Sequence, residues 1–146
     1  MKTVKDKTAG PTQQGLLDLR DRLLHLHKTV IEFDRERYEK TVGPVQSPYH
    51  FLQLVTRDPW FAWLHPLSQL IVSIDVAIDE KEPLTDAMAD ALRAQTRALL
   101  TAAENAEGFS GHYFVALQQE PQVVMAHAEV IKLIGRNKSE NEHTKN

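Results

Sequence analysis

The chain has 146 residues, no cysteine, and a formal net charge of −3 from 17 basic and 20 acidic side chains. That length suits one domain with its own core, and 42% hydrophobic with 25% charged residues is a globular composition. Lack of cysteine excludes disulfides, thiolate catalysis and Cys-ligated zinc or iron–sulfur centres, and the acidic balance argues against a general nucleic-acid binder.

The opening MKTVKDKTAGPTQQG has lysines but no apolar run of a secretory signal. The longest apolar stretch, Leu67 to Ile78, is broken by Ser68, Gln69, Ser73 and Asp75, too short and too polar for a bilayer span. A cytoplasmic protein is expected, with no membrane partner. Residues 1–11 and 136–146 read as disordered tails around a single domain, 12–135.

Apolar residues at Leu16, Leu19, Leu23, Leu26, Val30 and Phe33 recur at three and four, so the first helix is expected from Thr12 to Lys40, stopped by Gly43-Pro44. Ser47-Pro48 opens a short helical piece over 48–55. Asp58-Pro59 then supplies an N-cap and an N1 proline for helix 2, whose stripe is Trp60, Leu64, Leu67, Ile71, Ile74 and Ile78. Pro66 inside it should kink or divide it. Thr85 caps an Ala-rich helix 3, expected to run to Ala106 and to end at Gly108. Ser110 to Gln119 is a shorter helix with Ser110 as its cap. Glu120-Pro121 starts the last helix, with Val123, Val124, Val130, Ile131 and Ile134 inward and Gly135 as its stop. No segment alternates with period two. The fold class is all-α: a four-helix up-down-up-down bundle with short extra helices between helices 1 and 2 and before helix 4.

Several polar residues fall on the apolar stripes. On a wheel of about 100° per residue from Leu16, His27 lies near 20°, Asp34 near 0° and Arg20 near 40°. His127 falls among Val123, Val130 and Ile134, Asp75 at the edge of the helix 2 stripe, and Gln95 between Leu92 and Leu99. Buried polar groups left unpaired cost about 1–3 kcal/mol, so these should meet each other, water or a ligand. Helices 1 and 4, if antiparallel neighbours, would bring Asp34 and His127 into one layer. Two readings follow. One is a satisfied internal network. The other is a ligand pocket of Arg20, His27, Asp34, Asp75 and His127, with His27 and His127 binding a divalent metal or serving a haem.

The metal reading lacks the Glu-x-x-His pairs of carboxylate-bridged bundles and the His-Glu-x-x-His helix. Glycine-rich phosphate loops and a Gly-x-Ser-x-Gly elbow are also missing, so enzymatic function finds no motif, and no cofactor is the simpler expectation. His50, His65 and His112 read as capping or surface residues, and His143 as a tail residue. Trp60, Phe61 and Trp63 cover more of a helix than one stripe needs. They are either core beneath the 48–55 helix or a patch for a protein partner, with a homodimer as the simplest assembly. The functional expectation is an accessory or regulatory protein-interaction module, with the ligand- or metal-binding bundle as the alternative.

Overall fold

In a computed structural model of the chain, residues 10–80 and 82–145 are described, with side chains up to Gly135. All regular structure among them is helical: α1 (Pro11–Thr41), α2 (Pro48–Arg57), a 3-10 helix (Pro59–Leu64), α3 (His65–Asp79), α4 (Asp86–Leu99), α5 (Gly108–Gln119) and α6 (Pro121–Lys145). The expected N-terminal tail, up to residue 9, lies outside the described residues.

Local chemistry sets most of these boundaries. Ser47 Oγ accepts from His50 N at 3.0 Å, Asp58 Oδ1 from Trp60 N at 2.8 Å, and Thr85 Oγ1 from Met88 N at 3.1 Å. Each satisfies an N–H that the first helical turn leaves without a carbonyl. Pro48, Pro59 and Pro66 stand in first turns, where no amide hydrogen is needed. Pro66 thus divides the second helix rather than kinking it: residues 59–64 wind as a 3-10 turn and the α-helix starts at His65. The Pro59–Asp79 segment, 21 residues containing an 18-residue window of mean hydropathy 1.4, is long and apolar enough by composition to cross a membrane, contrary to the shorter stretch read from the sequence. In this fold it turns Phe61, Leu64, Leu67 and Ile74 into the core.

Three helix ends depart from expectation. The Ala-rich α4 stops at Leu99, not Ala106. Leu100 turns inward to 2% exposure, Thr101 Oγ1 bonds Arg97 O, and Asn105 and Gly108 take left-handed φ angles of 65° and 72° that reverse the chain. Packing here overrides alanine's helix preference. Ser110 is not a cap: it sits inside α5 and bonds back to Thr101 O at 3.0 Å. Gly135 does not stop α6, whose helical backbone continues to Lys145 through the span expected as a tail.

The core centres on α1, whose Leu16, Leu19, Leu23, Leu26 and Val30 are at most 1% exposed. Burial of each such side chain is worth about 1.5–3 kcal/mol. α1 packs most extensively on α6 and α3, α3 packs on α4, and α4 on both α1 and α6. α2 lies over the 3-10 helix, and α5 bridges the 3-10 helix and α6. On α6, Val123, Ala126, Val130 and Ile134 face inward, whereas Val124 and Ile131, expected in the core, are exposed. Gln95 likewise points outward, and its place on α4 is taken by buried Thr96.

Candidate functional site

The most deeply buried carboxylate is that of Asp34, 1% exposed. It falls on the apolar stripe of α1, so helical geometry carries it into the core. There Trp63, from the 3-10 helix, donates Nε1–H to Asp34 Oδ2 at 2.8 Å. Arg37, one turn along α1, brings its guanidinium to 3.7 Å of Oδ1. Trp60 also aims its indole at the carboxylate, outside hydrogen-bonding geometry, and its buried Nε1 has no partner. Desolvation pushes the Asp34 carboxyl above its ordinary range, and the Trp63 bond and the Arg37 charge only partly oppose this.

Around Asp34 the aromatic side chains form a continuous layer. The His112 ring stacks on Trp63 at 5.0 Å and 17°, its Nδ1 bonded to Gly108 O at 2.8 Å. Trp63 meets Phe109 at 5.6 Å, Phe109 stacks on Tyr113 at 5.1 Å, and Tyr113 meets His127 at 5.6 Å. Tyr113 Oη lies 2.7 Å from His127 Nδ1. Burial raises the phenol's pKa and lowers the imidazole's, so both stay neutral. With both groups neutral, the tautomer sets the direction: a ring proton on Nε2 makes the phenol the donor to Nδ1, and one on Nδ1 makes the phenol oxygen the acceptor.

Asp34 and His127 therefore do not pair as the wheel suggested; Trp63, Phe109 and Tyr113 stand between them. The reason is register. Arg22 of α1 meets Glu129 of α6 at 3.7 Å, and Phe33 shares a groove with Glu120 and Gln122. The level of Asp34 thus coincides with the beginning of α6, well before His127.

Arg20 and Asp75 do come together, at 3.1 Å, with Asp21 adding a second contact at 3.5 Å. The pair is partly exposed and ties α1 to α3, and the Asp75 bond raises the Arg20 pKa. Arg20 Nε is buried without a partner. His27 is half-buried and has no hydrogen-bond partner among the described residues, and desolvation lowers its pKa. The five expected ligand residues thus separate into an Arg20–Asp75 pair, a lone His27, an Asp34 node and a His127–Tyr113 pair. Among the described residues no three His, Asp or Glu side chains converge to hold a metal ion.

The aromatics proposed for a partner are taken up largely by the chain itself. Phe61 is fully buried and Trp63 is 8% exposed, while half-buried Trp60 meets Tyr38 edge-on at 5.6 Å. α2 closes over them, with Phe51 at 5.9 Å from Phe61. His112 is exposed, as expected of a surface residue; its stack on an indole 49 positions earlier is not announced by its local sequence.

The open depressions lie elsewhere. One of about 350 Å³ runs between α1 and the start of α6, beside Lys28, Phe33, Glu36 and Gln122. Another of about 660 Å³ lies where the start of α1 meets the α3–α4 connection. Neither is lined by Asp34, His27 or His127. Compared with known protein families, curated proteins and solved structures, the chain matches none.

Proposed function

We propose that this chain is a cytoplasmic helical module that works through protein contacts, self-associating as a homodimer, with no membrane or nucleic-acid partner. Its internal polar groups act as ties between helices: Asp34 with Trp63, His127 with Tyr113, and Arg20 with Asp75. The reading includes an up-down-up-down arrangement of α1, α3, α4 and α6. It is supported by the Arg20–Asp75 contact between α1 and α3, by the Asp34–Trp63 bond between α1 and the 3-10 helix that leads into α3, and by Arg22–Glu129 between α1 and α6.

The observation that carries the proposal is on α2. Tyr49 is 68% exposed and Leu52 is 58% exposed, three residues apart and so on one face of the helix. An exposed tyrosine beside an exposed leucine is the material of an interface centre, and a two-fold pairing would cover both copies at once. Sedimentation velocity over a wide concentration range tests this. The parent chain is expected to dimerise, and Leu52→Glu to stay monomeric with unchanged helix content. A parent that remains monomeric throughout, or a Leu52→Glu dimer as tight as the parent's, overturns the α2 interface.

A further inference from the structure

The cleft of about 660 Å³ at one end of the molecule has a mixed lining, more polar than apolar, and an acidic rim. Pro11 from α1, Ile78 from α3 and Leu84 from the α3–α4 connection supply apolar surface, and Glu80 and Glu82 stand at the edge. A second depression, of about 610 Å³, shares Glu80 and Glu82 and extends along the outer face of α3. There Val72 and Val76, one turn apart, are 58% and 52% exposed, with Asp79 beside them.

The electrostatics favour a cation. Asp79, Glu80 and Glu82 outnumber Lys81 in this stretch of sequence. α3 ends here with no basic residue in its last turn, so its carboxyl-terminal carbonyls add negative potential; the amino terminus of α1, which lines the same cleft, opposes it, and the carboxylates set the sign. Gln13 Nε2 reaches the Ile78 carbonyl only at 3.4 Å.

We propose that this cleft docks a basic amphipathic segment of a partner protein. An apolar side chain of the segment rests against Ile78 and Leu84, a second covers Val72 and Val76, and flanking Lys or Arg side chains lie over Asp79, Glu80 and Glu82. The proposal rests on the reading of the chain as an interaction module but not on the α2 dimer, which uses another face. A dimer lost in Leu52→Glu with peptide binding intact, or the reverse, tells the two apart.

The probe is a fluorescent helical peptide of Leu and Lys, with Leu at three- and four-residue spacing, titrated by anisotropy against the full chain. Glu80→Lys with Glu82→Lys is expected to weaken binding about tenfold or more. The same charge change in the α4–α5 connection, Glu104→Lys with Glu107→Lys, should weaken it about twofold at most. Helix content by circular dichroism confirms that both double variants fold. Equal losses in the two variants, no binding by the parent, or equal binding of an all-Lys peptide would overturn the proposal. So would binding that appears only after removal of residues 1–9, because Lys2, Lys5 and Lys7 of this chain would then be the cleft's natural occupants.

Discussion

Trp63 donates its indole N–H to Asp34 at 2.8 Å while the same ring lies flat against His112, so one side chain joins α1, the 3-10 helix and α5. The carboxylate is retained in the core although its desolvation is incompletely repaid. The acceptor matters for structure, and the charge is a burden.

That distinction is measurable. Asp34→Asn keeps an oxygen for the indole and removes the buried charge. It should unfold in urea within about 1 kcal/mol of the parent at neutral pH, or later. Asp34→Ala strands the Trp63 N–H and leaves a void, and should lose about 1–3 kcal/mol. If both variants lose the same amount, the Trp63 bond is not what Asp34 contributes.

Acid should weaken the fold in a defined direction. Burial lowers the pKa of His27 and of His127 below the ordinary 6.5, so the folded state favours the neutral rings. Their contribution is full above about pH 6.5 and is lost as pH falls through that value, because the unfolded chain then binds more protons. Asp34 acts oppositely: its raised pKa costs stability above its titration, and that cost is relieved as the carboxyl protonates. Urea midpoints compared between pH 7 and about pH 5.5 should fall for the parent and fall less for His27→Gln. An identical drop in both would show that His27 is not desolvated.

Gly111 is the position least tolerant of a side chain. A Cβ there would stand 1.8 Å from the Ala106 carbonyl oxygen and 2.7 Å from its carbon, both backbone atoms. Gly111→Ala is expected to cost about 3 kcal/mol or more in thermal or urea unfolding, despite alanine's better helix preference. Wild-type stability in this variant would mean that the 100–107 connection does not close over α5 in solution.

Tyr113 offers a companion test at the other end of the aromatic layer. Tyr113→Phe keeps the ring contact with Phe109 but removes the hydroxyl that is hydrogen-bonded to His127 Nδ1. A loss of about 1–3 kcal/mol is expected, with the imidazole signals of His127 shifting in the NMR spectrum. An unmoved His127 would place the hydroxyl elsewhere.

The features legible in the sequence are the local ones. Ser47, Asp58 and Thr85 were readable as caps because a cap bonds two or three residues away. The burial of Asp34 was readable from helical phase alone. Its partner was not, because Trp63 reaches it only if residues 59–64 wind as a 3-10 turn, a choice that apolar periodicity does not distinguish. His112 and Gly111 were hidden for a different reason. Their roles depend on how α5 returns over Trp63 and beneath Ala106, which is tertiary packing and leaves no mark on the neighbouring residues.

The 3-10 helix also behaves as a phase adjuster between its neighbours. Three residues complete a turn there, so each residue advances the ring of side chains by about 120°. Deleting one residue between Pro59 and Leu64 would swing Trp63 off Asp34 and turn α2 relative to α3. Deleting a whole turn would shorten the joint while preserving which side faces in. Insertions at this joint should therefore be tolerated better in steps of three than in steps of one, whereas any three-residue deletion also removes buried Phe61, Trp63 or Leu64.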